Sequence, residues 1–157
     1  MWKLADESHD SEIIEMSLAL YREDPSPHEP TAKNIQKTLK TLRAEPVRGR
    51  AVVLEIDGHI VGYSFLISFW SNELGGEVCH LDEGYVKPAH RSQGHGHELL
   101  RMLIEQKDKN PLWPGMPVVF ELEVTPANAR ARVGYEKAGF KPMKNLKLRR
   151  PNKALDA

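Results

Sequence analysis

The stretch from Leu81 to Leu100 constrains the fold more than any other part of the chain. Glu77–Val86 reads as a strand, stopped by Pro88. Leu99, Leu100, Leu103 and Ile104 mark a helix from about Gly94 to Lys107. The pattern Arg91-x-x-Gly94-x-Gly96 joins the two. Glycines at a helix start let the backbone approach a ligand closely. The first helical turn has N–H groups without intrahelical partners, and their dipoles favour an anion. A pyrophosphate is the guest this arrangement suits. A Gly-x-Gly pair alone also serves as plain loop punctuation. The dinucleotide fingerprint needs a third glycine, and a Walker loop needs Gly-Lys-Ser/Thr; neither is present.

Around this segment the chain alternates strand and helix signals. Trp2–Ala5 reads as a short edge strand. Ser11–Arg22 suits a helix capped near Asp10, broken by Pro25, Pro27 and Pro30. Thr31–Ala44 carries Ile35, Leu39 and Leu42 on one helical face. Ala51–Ile56 and Ile60–Trp70 flank Asp57-Gly58, a hairpin-turn pair that tolerates positive φ. Val118–Val124 is a strand, and Asn128–Ala138 a helix ended by Gly139. Lys144–Arg149, with Leu146 and Leu148 alternating, reads as a last strand. The order βααβββαβαβ predicts one α/β domain over residues 1–157, a mixed sheet with helices packed on it.

Composition narrows the function classes. Lys+Arg and Asp+Glu both number 22, so the net charge is zero and gives no argument for nucleic acid or an anionic membrane as partner. The basic tail Lys141, Lys144, Lys147, Arg149 and Arg150 reads as a solvated face. No apolar run approaches the roughly 20 residues of a membrane span. The start, Met1 to Glu7, turns acidic where a secretory leader would be apolar. Cys79 is the one cysteine, which excludes an internal disulfide and fits a reducing, cytoplasmic setting.

Two spaced motifs carry a resemblance. Val86-x-Pro88-x-x-Arg91-x-x-Gly94-x-Gly96 resembles motif A of the GNAT acetyltransferases. Asn128-x-x-Ala131-x-x-x-Tyr135-Glu136-Lys137-x-Gly139-Phe140 is similar to that family's later N-x-x-A-x-x-x-Y-E-K-x-G-F segment. Gly58-His59-Ile60-Val61-Gly62 resembles the hairpin before motif A. The likeness covers roughly residues 51–142. Ser92 stands where the family most often has glycine, and Gly134 where leucine usually precedes the tyrosine. A glycine inside a helix costs about 1 kcal/mol relative to alanine.

The resemblance implies the GNAT fold: a mixed, twisted sheet of six to seven strands with helices on both faces, parted in a V between Glu77–Val86 and Val118–Val124. It implies acetyl transfer from acetyl-CoA to a primary amine. The backbone of Ser92, Gln93, Gly94, His95, Gly96 and His97, led by Arg91, would hold the pyrophosphate. Backbone at Tyr85 and Val86 would pair with the pantetheine arm, and Asn128 would lie near it. Tyr135 would be the general acid for the leaving thiolate; by helix periodicity alone it reads as a core aromatic. Asp82 or Glu83 would assist amine deprotonation, Glu83 slightly ahead, against a reading as a solvated strand end. His95-x-His97 lacks a third ligand, so no metal is expected.

Acidic residues near the expected acceptor pocket (Glu23, Asp24, Glu29, Glu73) favour a small cationic amine. A peptide or protein amine stays open, as do a CoA-binding regulatory pseudo-enzyme and a homodimer.

Overall fold

The β2–β3 hairpin shows how local chemistry sets the framework. Strands β2 (Gly49–Ile56) and β3 (His59–Ser71) are joined by Asp57 and Gly58, with φ of 50° and 77°. Positive φ at both central residues gives the turn a twist that matches the flanking strands. The structure is a computed structural model and describes residues 1–105 and 110–150. Its sheet has five strands in chain order, with β1 (Trp2–Leu4), β4 (Gly76–Val86) and β5 (Val119–Leu122) completing it. Neighbours pair antiparallel except β4 and β5, which run parallel.

Helices cover both faces. On one face lie α1 (Asp10–Glu23) and α2 (Ala32–Ala44), which bury Ile13, Met16, Ile35, Leu39 and Leu42 against Val53, Tyr63 and Phe65. On the other lies α3 (His95–Glu105), whose Leu99 and Leu103 pack with Leu112, Trp113, Trp2, Val52, Leu54 and Cys79. Each such aliphatic side chain contributes about 1.5–3 kcal/mol on burial. The short helix α4 (Ala129–Lys137) buries no residue fully. No helix among the described residues is long and apolar enough to cross a membrane.

Three expectations need correction. Among the described residues five strands stand where six or seven were expected. Lys144–Arg149 is not a strand: Leu146 and Leu148 are 89% and 90% exposed. Alternation makes a strand only when a partner edge buries one of its faces. Asp10 does not cap α1 but begins it, and both its carboxylate oxygens are gripped by Arg43, at 2.7 and 2.6 Å. No side chain caps α1 itself; Asp6 caps the 3-10 turn Glu7–His9 that leads into it, accepting the Ser8 N–H at 2.8 Å. The expected reach of the α3 helix to Lys107 falls outside the described residues.

Two features of β4 position the site. Asp82 has no partner on β3, because Phe65 pairs with Glu83 and Leu66 with Leu81. This bulge shifts the strand's phase. Before it, Cys79 and Leu81 face the α3 side; after it, Tyr85 faces α1 and α2. Second, β5 ends at Leu122, opposite Leu81, so beyond Leu81 that edge of β4 has no β5 partner.

Candidate active site

The end of β4, the start of α3 and one face of α4 line a cleft of about 860 Å³. Gly84, Tyr85 and Val86 line it from β4; Ser92, Gly94, His95, Gly96 and His97 from the loop and α3; Asn128, Arg130, Ala131, Gly134, Tyr135 and Lys137 from α4 and its cap. The two motifs, far apart in sequence, therefore face one space.

The loop into α3 is shaped for close approach. Ser92 and Gly94 have φ of 68° and 84°, so the chain turns twice through the left-handed region. The first helical bond of α3 runs from the Glu98 N–H to the Gly94 carbonyl at 2.9 Å. The N–H groups of residues 95 to 97 thus precede the ladder and are free for an anion. A Cβ at Gly94 or Gly96 would meet no protein atom within 4 Å. Nothing in the protein's own packing fills that cradle. The donor set fits a pyrophosphate-bearing CoA.

Arg91 is a strut rather than a free cation. Its Nε donates to the Val86 carbonyl at 2.7 Å and an Nη to Glu23 at 2.8 Å, and the guanidinium lies 5.0 Å from the Tyr85 ring centre. The Tyr85 hydroxyl also donates to Glu23, at 2.8 Å. The Tyr85 hydroxyl first, and then Arg91, hold the Glu23 carboxyl below its usual range. Gln93 turns away: its amide reaches the Ala89 carbonyl at 3.4 Å, and it does not line the cleft.

Helix α4 presents Tyr135 by two local devices. Asn128 caps its start, accepting the Ala131 N–H at 3.2 Å. At its end Gly139, at φ 92°, closes a Schellman motif, with Phe140 N–H bonded to the Tyr135 carbonyl and Gly139 N–H to that of Glu136, both at 3.0 Å. The Phe140 ring then packs edge-on against Tyr135, centroids 6.0 Å apart. Burial pushes the Tyr135 hydroxyl above its ordinary value, which keeps the proton in place.

Asp82 and Glu83 do not line the cleft. The bulge turns Glu83 onto the α1 face, where Ser17, Tyr21 and Tyr63 donate hydroxyls to its carboxylate at 2.7, 3.0 and 2.5 Å. Burial first, and then the Glu83 charge, raise both tyrosines well above their ordinary range, so they remain donors. This ring was missed from sequence. Its signal was a polar pair, Ser17 and Tyr21, one turn apart on an otherwise apolar helix face. Asp82 is exposed, 3.8 Å from His80. Asp24 accepts from Thr125 at 3.3 Å. Cys79 is fully buried, its thiol pushed up to about 12 by burial and Glu77. Among the described residues no three His, Cys, Asp or Glu side chains converge as a metal site.

Fold and cleft together define an α/β protein with a glycine-lined cleft beside its sheet, and comparison with known proteins gives the family. The model of the acetyltransferase (GNAT) family matches residues 12–140, and the chain belongs to that family. The chain resembles the structure of a possible acetyltransferase from Clostridium difficile 630, with TM-score 0.79, 18% identity and 97% of each chain covered. It also resembles a ribosomal-protein-alanine N-acetyltransferase from Brucella melitensis biovar Abortus 2308, with TM-score 0.70, 18% identity, and 96% of this chain and 99% of that one covered. A transcriptional regulator from Bacillus halodurans C-125 gives TM-score 0.74 at 20% identity, over 95% of this chain and 98% of that one. At such identities the likeness is one of fold. A search of curated proteins returns no match.

Proposed function

We propose that the protein transfers an acetyl group from acetyl-CoA directly to the primary amine of a small cationic molecule. The observation that carries this reading is the convergence of the open half of β4, the glycine cradle of α3 and the Tyr135 hydroxyl on one cleft.

Acetyl-CoA supplies the thioester that the amine attacks. Backbone N–H groups from Ser92 to His97 hold the pyrophosphate. The unpaired edge of β4 at Gly84 and Tyr85 orients the pantetheine arm, and a backbone N–H there polarises the carbonyl. The Val86 carbonyl is already taken by Arg91. Asn128 borders the arm. Tyr135 keeps its proton at Oη for the departing sulfur. The arriving ammonium gives up two protons, one to a carboxylate or water before attack and one as the amide forms; the C–S bond breaks, the sulfur takes one proton from Tyr135, and the other leaves to solvent, so the exchange balances. Neither carboxylate lines the cleft, so the amine proton reaches one of them through water: Asp82 is the freer, and Glu83 acts through a bound hydroxyl, since Ser17, Tyr21 and Tyr63 already occupy it. Asp82 and Asp24 supply the negative field that draws in an ammonium. Nucleic acid and membrane have no part in this reading.

The test is CoA release across polyamines, diamino acids, aminoglycosides, neutral aryl amines and peptides. Cationic acceptors should give the higher kcat/KM, and Asp82→Asn should raise KM for them more than for aryl amines. Equal treatment of charged and neutral acceptors refutes the substrate class and leaves a peptide amine. Calorimetric CoA binding with no release on any amine replaces the enzyme by a regulatory CoA-binding module.

A further inference from the structure

The polyanionic donor needs cations, and the cleft is lined by three long basic side chains: Arg91, Arg130 and Lys137. They differ in what already occupies them. Arg91 is neutralised by Glu23 and pinned to the Val86 carbonyl. Arg130, on α4, crosses to the glycine loop and donates from Nη2 to the Ser92 hydroxyl. A hydroxyl oxygen accepts that bond without cancelling the charge. Among the described residues no carboxylate pairs with Arg130. A guanidinium has five N–H donors in a planar fork, so most of them remain for a phosphate.

Ser92 adds a second, independent observation. It holds φ at 68°, a conformation that costs an L-residue about 1–2 kcal/mol and glycine nothing. The hydroxyl is what the strained position gains. Its oxygen accepts from Arg130 while its own O–H stays free to donate to an anion. Lys137 lies two helical turns further along α4, about 10 Å from Arg130 and away from the loop.

We propose that Arg130, parked by the Ser92 hydroxyl, is the side chain that neutralises the donor's pyrophosphate, and that Arg91 only braces the loop. The inference rests on the donor reading above and adds a residue that motif reasoning passed over.

The test is calorimetric affinity for CoA and for dephospho-CoA, which keeps the pyrophosphate and lacks the 3′-phosphate. Charge-assisted hydrogen bonds of this kind correspond to about a 10- to 100-fold loss when removed. Arg130→Ala should lose that much for both ligands, with Tm unchanged because the side chain is exposed. Arg130→Lys, which keeps the charge and loses the fork, should fall between. Ser92→Gly relieves the backbone and unparks the arginine, so it should weaken both ligands by a smaller factor. Arg130→Ala within about threefold of wild type for both ligands overturns the proposal. A loss confined to CoA also overturns it, by assigning Arg130 to the 3′-phosphate. Wild-type protein that binds neither ligand removes the donor reading, and this proposal with it.

Discussion

Gly96→Val separates ligand space from folding more cleanly than any other change in the cleft. A Cβ at Gly96 meets no protein atom within 4 Å, and its φ is not in the left-handed region. Valine there should leave the fold intact and gain about a few tenths of a kcal/mol from helix propensity. The same substitution at Gly94, at φ 84°, forces an L-residue into left-handed backbone at about 1–2 kcal/mol. For a domain of this size that lowers Tm by roughly 2–8 °C. Both variants should block CoA, for different reasons. In Gly96→Val the branched side chain occupies the space in front of the free N–H groups of residues 95 to 97. Two hydrogen bonds to a charged phosphate are worth about 1.5–3 kcal/mol each, so affinity should fall roughly 100-fold or more. Scanning calorimetry and titration with CoA measure the two effects on one sample. A Gly96→Val protein with wild-type Tm and a CoA Kd within about threefold of wild type refutes the cradle.

Two further outcomes follow from the hydroxyl groups. Tyr135→Phe keeps the packing on Phe140 and should lower single-turnover acetyl transfer by about 10²–10⁴-fold at unchanged CoA affinity. Since burial raises the Tyr135 hydroxyl above 10.0, the protonated acid persists and the alkaline fall in rate should begin only above that value; an unchanged rate in the variant makes Tyr135 a packing residue. Glu83→Ala strips the acceptor from Ser17 and Tyr63, both fully buried, and from Tyr21, at about 1–3 kcal/mol per orphaned hydroxyl. Its Tm should drop by roughly 6 °C or more, whereas exposed Asp82→Asn should stay within about 0.5 kcal/mol. Equal melting of the two variants contradicts the hydroxyl ring.

What could be read in advance was local. The turn at Asp57-Gly58, the Asn128 cap, the Gly139 stop and the passage from β4 through the glycines into α3 each depend on a few neighbouring residues. Their physics is complete within a turn of chain. The bulge at Asp82 is different, because it exists only in the register between β4 and β3. That register decides which face Glu83 looks from, so adjacency of two carboxylates said nothing about their roles. Arg91 matched its motif yet proves committed to Glu23, a partner on α1 that no spacing rule could name. The alternation of Leu146 and Leu148 misled because a strand needs an edge to join, and sequence pattern does not show where edges are free.

The three-residue strand β1 has a reach beyond its size. Trp2 is 3% exposed in the core, and its indole N–H donates to the His95 carbonyl at 2.8 Å. Strand β1 is thereby moored to the residue that opens α3. That bond helps fix where α3 begins, alongside the packing of Leu99 and Leu103. Phenylalanine at this position would fill much of the same volume and release the mooring line. A variant of that kind should melt lower by the cost of the smaller ring and should also bind CoA less tightly, two effects that a melting curve and a CoA titration read separately.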